Sequence, residues 1–312
     1  MESLRRIILP LIITMVSIPF FTSCLDEDLT DCPDEFTVSF EYTQNPSGTD
    51  LFSSVVKYLD LFVYDSNGYL FGKFTYSAAE LALNDYKSKL KLPTGDYTFV
   101  VWMNNDTSSY TISGQNDITT GRQQLVATAG DVPYGTEPIY FGQGTGSYTT
   151  TNDQIVIPLI KNTKHITVNA DFDTTLPAGT EVTAYITGSN GVYDFNNTSL
   201  GTTQYKYQPQ RTVTNNGTTS VKFDFTTQRL IPQDDLQLVI VATNSVGVVE
   251  ILKTIPLTST IMSNPLYNNA TKLDVNDEYT LDFTFKDAGN GTYVNTTIKV
   301  NDWDVTKQVT GL

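Results

Sequence analysis

Short runs in which apolar and polar residues alternate recur along most of this chain, and they constrain its fold more than any other feature. The run FTVSFEY alternates strictly, and its large apolar side chains share one face: Phe36, Val38, Phe40 and Tyr42. Successive side chains of a β-strand point to opposite faces of a sheet, so this period of two predicts a strand with one buried face.

Several local signals in the first half place strands and turns between such runs. Asn67-Gly68 predicts a tight hairpin turn, and YKSKLKL places three lysines on one face of an edge strand. The segment YTFVVWM is apolar enough for a central strand. Ser77 and Glu80 have the spacing of a capping box, which predicts one short helix. Residues 104–152 are rich in Asn, Thr, Ser and Gly, and we predict a long loop there.

The second half repeats the pattern of short strands separated by Gly, Pro and Asn turns. Strands are predicted near residues 166–172, 181–187, 192–195, 221–225, 236–242, 247–255, 279–285 and 293–300. The chain length suits about two domains, and many short strands favour sandwiches. We therefore predict an all-β protein of two antiparallel β-sandwich domains, residues 36–160 and 161–312.

The first 23 residues have the pattern of a secretory signal peptide. A basic pair precedes the apolar run IILPLIITMVSIPFF, which is shorter than the roughly 20 residues of a membrane-spanning helix. The run ends in FTSC, which resembles the lipobox of bacterial lipoproteins, where the chain is cut before an acylated cysteine. This predicts lipidation of Cys24 and attachment to the outer membrane through acyl chains; a secreted protein with an incidental cysteine is the alternative.

Residues 24–35 form an acidic linker behind this cysteine. Its LDED cluster resembles the export signal of surface-exposed Bacteroidales lipoproteins, and a solvated spacer is the other interpretation. With Cys24 acylated, Cys32 has no partner in the chain, so we expect a linker thiol rather than a disulfide.

The charge balance restricts the partners of the chain. It contains 19 Lys and Arg against 34 Asp and Glu, a net charge of −15. Such a surface repels nucleic acid and anionic lipid, and we exclude both as ligands.

No segment carries a recognisable catalytic motif or cofactor site. The single histidine, His165, lies on the polar face of its predicted strand, where a solvated role is expected. Residues 274–278, DVNDE, lack the central glycine and distal glutamate of a calcium loop. We expect no enzyme activity, no metal and no cofactor. Trp303 is a candidate platform for a glycan, although we expect it to be packed under the last strand.

The order of several segments resembles the fimbrillin-associated anchor family of Bacteroidales. These segments are Cys24 with its acidic run, VSFEY, LFVYDSNGYLFGKF, LPTGDYTFVVWMN, YFG at 140–142 and TTIKVNDWDV. The resemblance implies transthyretin-like sandwiches, no catalysis, and a role as the basal subunit of a cell-surface fimbrium. In such fimbriae an extended strand of one subunit fills a groove in another.

The resemblance also implies that the ends of the mature chain are the candidate sites of contact between subunits. Stalk subunits of the family lose an N-terminal strand by cleavage after Arg or Lys, but here no such residue occurs between Cys24 and Val56. We therefore predict that the 36–42 strand is retained and that the anchor offers its other end to a stalk subunit. The candidate donor strand comprises Val305, Thr306, Lys307, Gln308, Val309, Thr310, Gly311 and Leu312; equally, these residues are the last strand of the second domain.

The sequence therefore leaves two candidate functions. The first is a fimbrial anchor, and the second is a surface lipoprotein that binds glycan through Trp303 or through tyrosines of residues 104–152.

Overall fold

The computed structural model describes residues 35–105, 107–149, 153–289 and 292–305, which form four β-sheets and four short helices. The strands of the first half are β1 (Phe36–Glu41), β2 (Tyr58–Tyr64), β3 (Leu70–Ser77), β4 (Lys87–Leu90), β5 (Gly95–Met103), β6 (Tyr110–Ser113), β7 (Arg122–Leu125), β8 (Asp131–Val132), β9 (Tyr140–Tyr148) and β10 (Gln154–Lys161). Its helices are α1 (Phe52–Val55) and α2 (Ala78–Leu83).

The second half continues with eleven strands and two helices. The strands are β11 (Thr163–Phe172), β12 (Glu181–Gly188), β13 (Val192–Asp194), β14 (Tyr205–Tyr207), β15 (Gln210–Asn215), β16 (Thr219–Gln228), β17 (Gln237–Thr243), β18 (Val249–Pro256), β19 (Glu278–Gly289), β20 (Thr292–Val300) and β21 (Trp303–Asp304). The helices are α3 (Leu257–Met262) and α4 (Ala270–Val275). The predicted all-β class is confirmed.

The first sandwich is a single seven-stranded sheet with the order β3-β2-β5-β9-β10-β1-β4. The sheet folds over itself, so that Phe36 of β1 stacks on Phe99 of β5 with ring centroids 5.2 Å apart. The two layers enclose a core of their own, which α1 joins through the buried Phe52. Strand β1 pairs with β10 in parallel, which departs from the purely antiparallel arrangement that the sequence predicted.

Strand β9 shows that the predicted loop at 104–152 was wrong in part. Its sequence, YFGQGTGSY, has glycines at alternate positions, and these glycines face large side chains of the neighbouring strand β10. A Cβ atom at Gly142 would lie 2.5 Å from Leu159, and one at Gly144 would lie 2.7 Å from Ile155. Real Cβ atoms do not approach that closely, so glycine here makes room for the core instead of forming a loop.

The second sandwich packs two sheets face to face. The six-stranded sheet has the order β15-β16-β11-β19-β20-β21, and the five-stranded sheet has the order β18-β17-β12-β14-β8. Inward side chains of β11, such as Ile166 and Val168, belong to the same core as Ala184 of β12 and Ile240 of β17. Strand β11 runs parallel to β19, and β14 runs parallel to β8.

A small sheet with the order β13-β7-β6 joins the two sandwiches. Strand β13 comes from the second half yet pairs with β7 of the first, and β8 of the first half pairs with β14 of the second. Next to β13, the ring of Phe195 lies 5.1 Å from Phe62 and 6.4 Å from Trp102, on the outer face of the first sandwich. Independent domains at 36–160 and 161–312, and their transthyretin-like topology, stay predictions.

Most of the local signals in the sequence are confirmed. Gly68 has a φ of 82° in the β2–β3 turn, Ser77 and Glu80 form the reciprocal bonds of a capping box, and β4 with its lysines is an edge strand. Strand β5 lies between β2 and β9, as its apolar run predicted. Strand β15 was not predicted, because every one of its residues is exposed and it has no apolar face. The six-residue helices α3 and α4 were not predicted either.

Candidate functional site

Strand β1, the strand predicted to be retained, lies inside the seven-stranded sheet. It pairs antiparallel with β4 and parallel with β10, so both of its edges are hydrogen-bonded. The four predicted inward side chains are 5% exposed or less: Phe36, Val38, Phe40 and Tyr42. The alternation read from the sequence is therefore present, while retention of β1 during assembly stays a prediction.

Aromatic contacts hold this strand along its whole length. Besides its stack on Phe99, Phe36 meets Tyr148 edge-on, and the next inward aromatic, Phe40, stacks on Phe52 at 5.4 Å. Tyr42 packs edge-on against Tyr140 at 5.0 Å, just after the strand ends. Burying one such side chain contributes about 1.5–3 kcal/mol, so removal of β1 would open a large apolar groove.

The other end of the chain lies at the edge of the six-stranded sheet. Strand β21 pairs with β20, and beyond it the amide of Val305 donates a hydrogen bond to the carbonyl oxygen of Ile298 at 2.9 Å. Val305 packs against the core. The remaining candidate donor residues, 306–312, lie outside the described residues, as do Cys24 and the acidic linker up to residue 34.

Trp303 in β21 is more exposed than expected. The sequence predicted that it would be packed under the last strand, yet 37% of its surface is accessible. The prediction was wrong because β21 is a two-residue strand at the edge of its sheet, where a side chain has a neighbouring strand on one side only.

Two partly buried ion pairs and the buried Lys164 lie close to the junction between the two halves of the chain. The Arg229 guanidinium forms two 2.6 Å hydrogen bonds to the carboxylate of Asp274, and Lys161 pairs with Asp277 at 2.5 Å. Between these pairs the ammonium of Lys164 donates to the carbonyl oxygens of Asp274 and Asn276, at 2.9 and 2.7 Å. The acidic segment that looked like a calcium loop therefore has its first and fourth side chains occupied by cations.

Burial has the largest effect on the pKa values of the titratable groups in and beside this cluster. It lowers the pKa of the Lys164 ammonium from 10.5 to about 7, although the neighbouring carboxylates of Asp274 and Asp277 act in the opposite direction. Burial, followed by the charge of Asp277, raises the pKa of the phenols of Tyr42 and Tyr140. Both tyrosines lie near the end of β1, so β1 and the charged cluster share one electrostatic environment. No local pattern in the sequence indicated that Lys164 would be buried and Arg229 partly buried.

The side chains singled out for chemistry do not converge. His165 is partly exposed, and its Nε2 atom lies 3.6 Å from the Asp224 carboxylate. Within the described ranges, no cluster of three or more His, Cys, Asp or Glu side chains is placed to hold a metal ion. In the same part of the chain, no helix is both long and apolar enough to cross a bilayer.

Comparison with known proteins gives one family match and several structural neighbours. The model of the family described as fimbrillin-A associated anchor proteins Mfa1 and Mfa2 matches residues 29–309. The fimbrial anchor protein Mfa2 from Porphyromonas gingivalis is 18% identical, with a TM-score of 0.72 over 88% of this chain and 99% of that one. A search of curated proteins found no match.

Two solved structures from Bacteroides thetaiotaomicron are equally similar in fold. A candidate adhesin is 24% identical, with a TM-score of 0.73 over 88% of this chain and 97% of that one. A candidate polysaccharide-binding protein is 23% identical, with the same TM-score over 87% of this chain and 97% of that one. At these identities the likeness extends to the fold alone.

Proposed function

The chain belongs to the family of fimbrillin-A associated anchor proteins, and we propose that it is the lipid-anchored basal subunit that fixes a fimbrium to the outer membrane. Membership of this family associates it with cell-surface fimbriae and their subunits. The observation that carries the finer proposal is the position of β1, which is buried and paired on both edges next to the N-terminal tether. A basal subunit needs a filled acceptor groove at the end that faces the membrane. A subunit that keeps its own β1 strand in that groove cannot accept a strand from another subunit there.

The sequence before β2 supports retention of β1. Neither Arg nor Lys occurs between Cys24 and Val56, so a protease that cuts after basic residues has no site beside the strand. The linker of eleven residues between Cys24 and Phe36 spans at most about 36–40 Å. Strand β1 therefore stays near the membrane, and the opposite end of the molecule is left to meet the next subunit.

Membrane attachment is tested at the cysteine. Replacing Cys24 by alanine is expected to release the protein from membranes, because two or three acyl chains hold a protein far more firmly than one. Fractionation of cells labelled with palmitate measures both label and location. Alanine protein that stays with the membrane fraction would contradict the lipid anchor.

The contact with the stalk is tested at the other end. The predicted donor strand began at Val305, which packs against the core of this chain. We therefore propose that residues 306–312 donate the strand to a stalk subunit, where ladder hydrogen bonds give affinity and alternate side chains fill pockets. Deleting residues 306–312 spares Val305 and is expected to shed fimbriae into the medium while the protein stays folded and lipidated. The readout is the amount of fimbriae on cells against the amount in the medium.

A pair of matched variants separates strand donation from a general requirement for the tail. In an extended strand Val309 and Gln308 point to opposite faces, so only one of them fills pockets. Val309→Asp should shed fimbriae and Gln308→Asp should not, or the reverse. Equal retention by both variants and by the deletion would show that contact is made elsewhere.

The glycan-binding alternative has weaker support. Most tyrosines of residues 104–152 are buried, including Tyr110, Tyr140 and Tyr148, which leaves Tyr134 at 39% exposure. No aromatic contact among the described residues joins Tyr134 to Trp303, whereas a glycan platform needs aromatics grouped on one surface. Unchanged fimbriae with poor growth on a polysaccharide, in a strain lacking the protein, would favour this alternative.

A further inference from the structure

A carboxylate interrupts the otherwise aromatic outer face of strand β2. Residues 59, 61 and 63 point into the core of the first sandwich, so the side chains between and beside them form the outer face. Three of these are aromatic, Tyr58, Phe62 and Tyr64, and the fourth is Asp60, which is only 7% exposed. Because moving a charged group out of water is unfavourable, a buried aspartate is rare unless other groups stabilise it.

The groups around Asp60 leave part of its hydrogen-bonding capacity unused. The hydroxyl of Thr75 donates to Oδ1 at 2.6 Å, and the ammonium of Lys73 lies 3.1 Å from Oδ2. Both residues belong to the neighbouring strand β3, and Lys73 also lies over the Phe62 ring, 5.2 Å from its centroid. A carboxylate can accept about four hydrogen bonds. Among the described residues each oxygen of Asp60 has one side-chain partner, so this carboxylate can accept from a bound ligand as well.

Asp60 and Lys73 line a cavity of about 490 Å³ between the first sandwich and the small sheet. Strands β2 and β3 form one side of it, and β6 with the segment before β6 forms the other. Thr75, Thr107 and Thr111 also line the cavity and are exposed, so it is open to solvent. Its volume lies within the range of small-molecule sites, about 300–1,000 Å³.

A buried amide side chain lines the same cavity. Asn105 is 9% exposed, and its Oδ1 atom has no hydrogen-bond partner among the described residues. The preceding residue determines its position: Asn104 has a φ of 60°, and its side chain bonds to the amide of Lys57 and the carbonyl oxygen of Val55, each at 2.9 Å. Buried polar groups are nearly always hydrogen-bonded. An amide held here without a protein partner for its oxygen therefore indicates a polar ligand.

The wall formed by β6 is held by contacts with distant parts of the chain. Tyr110 in β6 is fully buried; its hydroxyl donates to the carbonyl oxygen of Glu137 at 2.6 Å and accepts from the Nε2 atom of Gln228 at 3.2 Å. Strand β6 is also paired with β7 along its length. The cavity is therefore formed before a ligand arrives, which reduces the loss of conformational entropy on binding.

The charge of the lining indicates the class of ligand. Asp60 and Lys73 are its charged side chains among the described residues, and their charges balance, although the chain as a whole carries a net charge of −15. A cationic ligand would meet the Lys73 ammonium, and an anionic ligand would meet Asp60 and the negative field of the chain. The hydroxyl and amide groups of the lining both donate and accept hydrogen bonds. A neutral ligand rich in hydroxyl groups matches this arrangement.

We propose that this cavity binds a neutral saccharide, whose hydroxyl groups form hydrogen bonds with the Asp60 carboxylate, the Lys73 ammonium and the Asn105 amide. The ring of Tyr58 and the side chain of Ile112 border the same space and offer apolar contacts to the carbon atoms of a sugar ring. Hydrogen bonds to an ionised group are about twice as strong as those between neutral groups, so Asp60 should contribute strongly to affinity.

This site is distinct from the candidate sites described above. Neither Trp303 nor Tyr134 lines the cavity, so the saccharide would be held by hydrogen bonds in a pocket and not by stacking on an exposed ring. The cavity also contains no residue of β1 or β21. A protein that anchors a fimbrium through the ends of its chain can therefore hold a saccharide at the same time.

The ligand class is tested with an array of immobilised mono- and disaccharides and the full-length protein in detergent micelles. The array holds neutral sugars together with their uronic-acid and amino counterparts, and we expect the tightest binding to a neutral sugar. Calorimetry with that sugar then compares variants. Asp60→Asn should weaken binding at least tenfold, because it removes the charge-assisted hydrogen bonds and keeps the shape of the side chain. Thr111→Phe fills the cavity from its exposed side and should abolish binding. The matched control, Thr212→Phe on the fully exposed strand β15, should bind as wild type does.

Three results would contradict this assignment. Absence of binding to every sugar, or tighter binding of acidic or amino sugars than of neutral ones, would overturn a neutral saccharide as the ligand. Thr111 is exposed, so Thr111→Phe should keep the wild-type melting temperature; if it keeps the wild-type affinity too, the sugar binds elsewhere. Wild-type affinity in a folded Asp60→Asn protein would show that the carboxylate does not contact the sugar. If Asp60→Asn does not fold, the comparison of Thr111→Phe with Thr212→Phe decides whether the cavity is the site.

Discussion

Replacing Asp274 by alanine should lower the free energy of unfolding by about 3 kcal/mol, the lower end of the range for breaking a buried ion pair. The Arg229 guanidinium would lose both of its 2.6 Å hydrogen bonds to the carboxylate, while only a fifth of its side chain reaches solvent. Its remaining polar contact is a 3.4 Å hydrogen bond to the carbonyl oxygen of Asn197. Denaturation by urea at pH 7 measures the loss.

An exposed ion pair provides the comparison. Lys57 and Glu137 also form a short contact, but the lysine side chain is 61% exposed, so water and salt screen the pair. Glu137→Ala should change the unfolding free energy by less than about 1 kcal/mol. Losses of equal size in the two variants would mean that Arg229 finds water or another acceptor when Asp274 is removed.

The second large effect is a dependence of stability on pH caused by Lys164. Its pKa is about 7 in the folded protein and 10.5 when unfolded, so between these values the unfolded chain binds more protons. The free energy of unfolding should therefore rise as the pH is raised from 7 toward 10. At about 1.4 kcal/mol per pKa unit, the rise attributable to Lys164 is at most about 5 kcal/mol.

Buried tyrosines should limit this rise. Burial raises the folded pKa values of Tyr42, Tyr140 and Tyr279 above 10, so the unfolded chain loses these protons first. Their stabilising contribution is present below pH 10 and is lost as the pH increases further. We expect maximal stability between about pH 9 and pH 10.

A methionine variant isolates the lysine in this pH profile. Lys164→Met keeps most of the side-chain volume and removes the titrating amine, so the rise between pH 7 and pH 10 should disappear. Lys222→Met, at a lysine whose side chain is 48% exposed, should retain the wild-type profile. Urea denaturation at intervals of one pH unit gives all three curves. A Lys164→Met profile parallel to wild type would show that Lys164 stays protonated in the folded protein over this range, so that its pKa is not lowered.

Alternation in the sequence predicted the strands that have one buried face, because the pleat converts that pattern directly into burial. Strand β1 and the lysine-bearing edge strand β4 are examples, and the capping box at Ser77 was equally local. Strand β9 was missed because its glycines are typical of loops when seen without their neighbours. The contacts of Gly142 with Leu159 and of Gly144 with Ile155 explain these glycines, and the pattern within one strand does not show which side chains of its neighbour will face it.

The candidate functional residues also fall into those that a local pattern predicts and those that only the folded chain brings together. The run LQLVIVA indicated a strand with two apolar faces, and both faces are buried in the structure, since Val239 and Val241 are each 8% exposed. The burial of Lys164 depends on the approach of residues 274–276, about 110 positions later, and no pattern around the lysine reports it. Parallel pairing of β1 with β10 is likewise a property of the assembled sheet and not of either strand.

That parallel pairing determines how the molecule would bear mechanical load. If the protein is tethered as proposed, a pull on the fimbrium would enter at the N-terminal end of β1 and leave through the C-terminal end of β10, which continues into β11 after a single residue. Because the two strands run in the same direction, the force shears the bonds between them, so that they must fail together instead of opening one after another. Forced unfolding is governed by the rate of barrier crossing, and shear raises that barrier without any gain in equilibrium stability. For a cell held under flow, the direction of β1 relative to β10 would then matter more for the strength of attachment than the free energy with which β1 is bound.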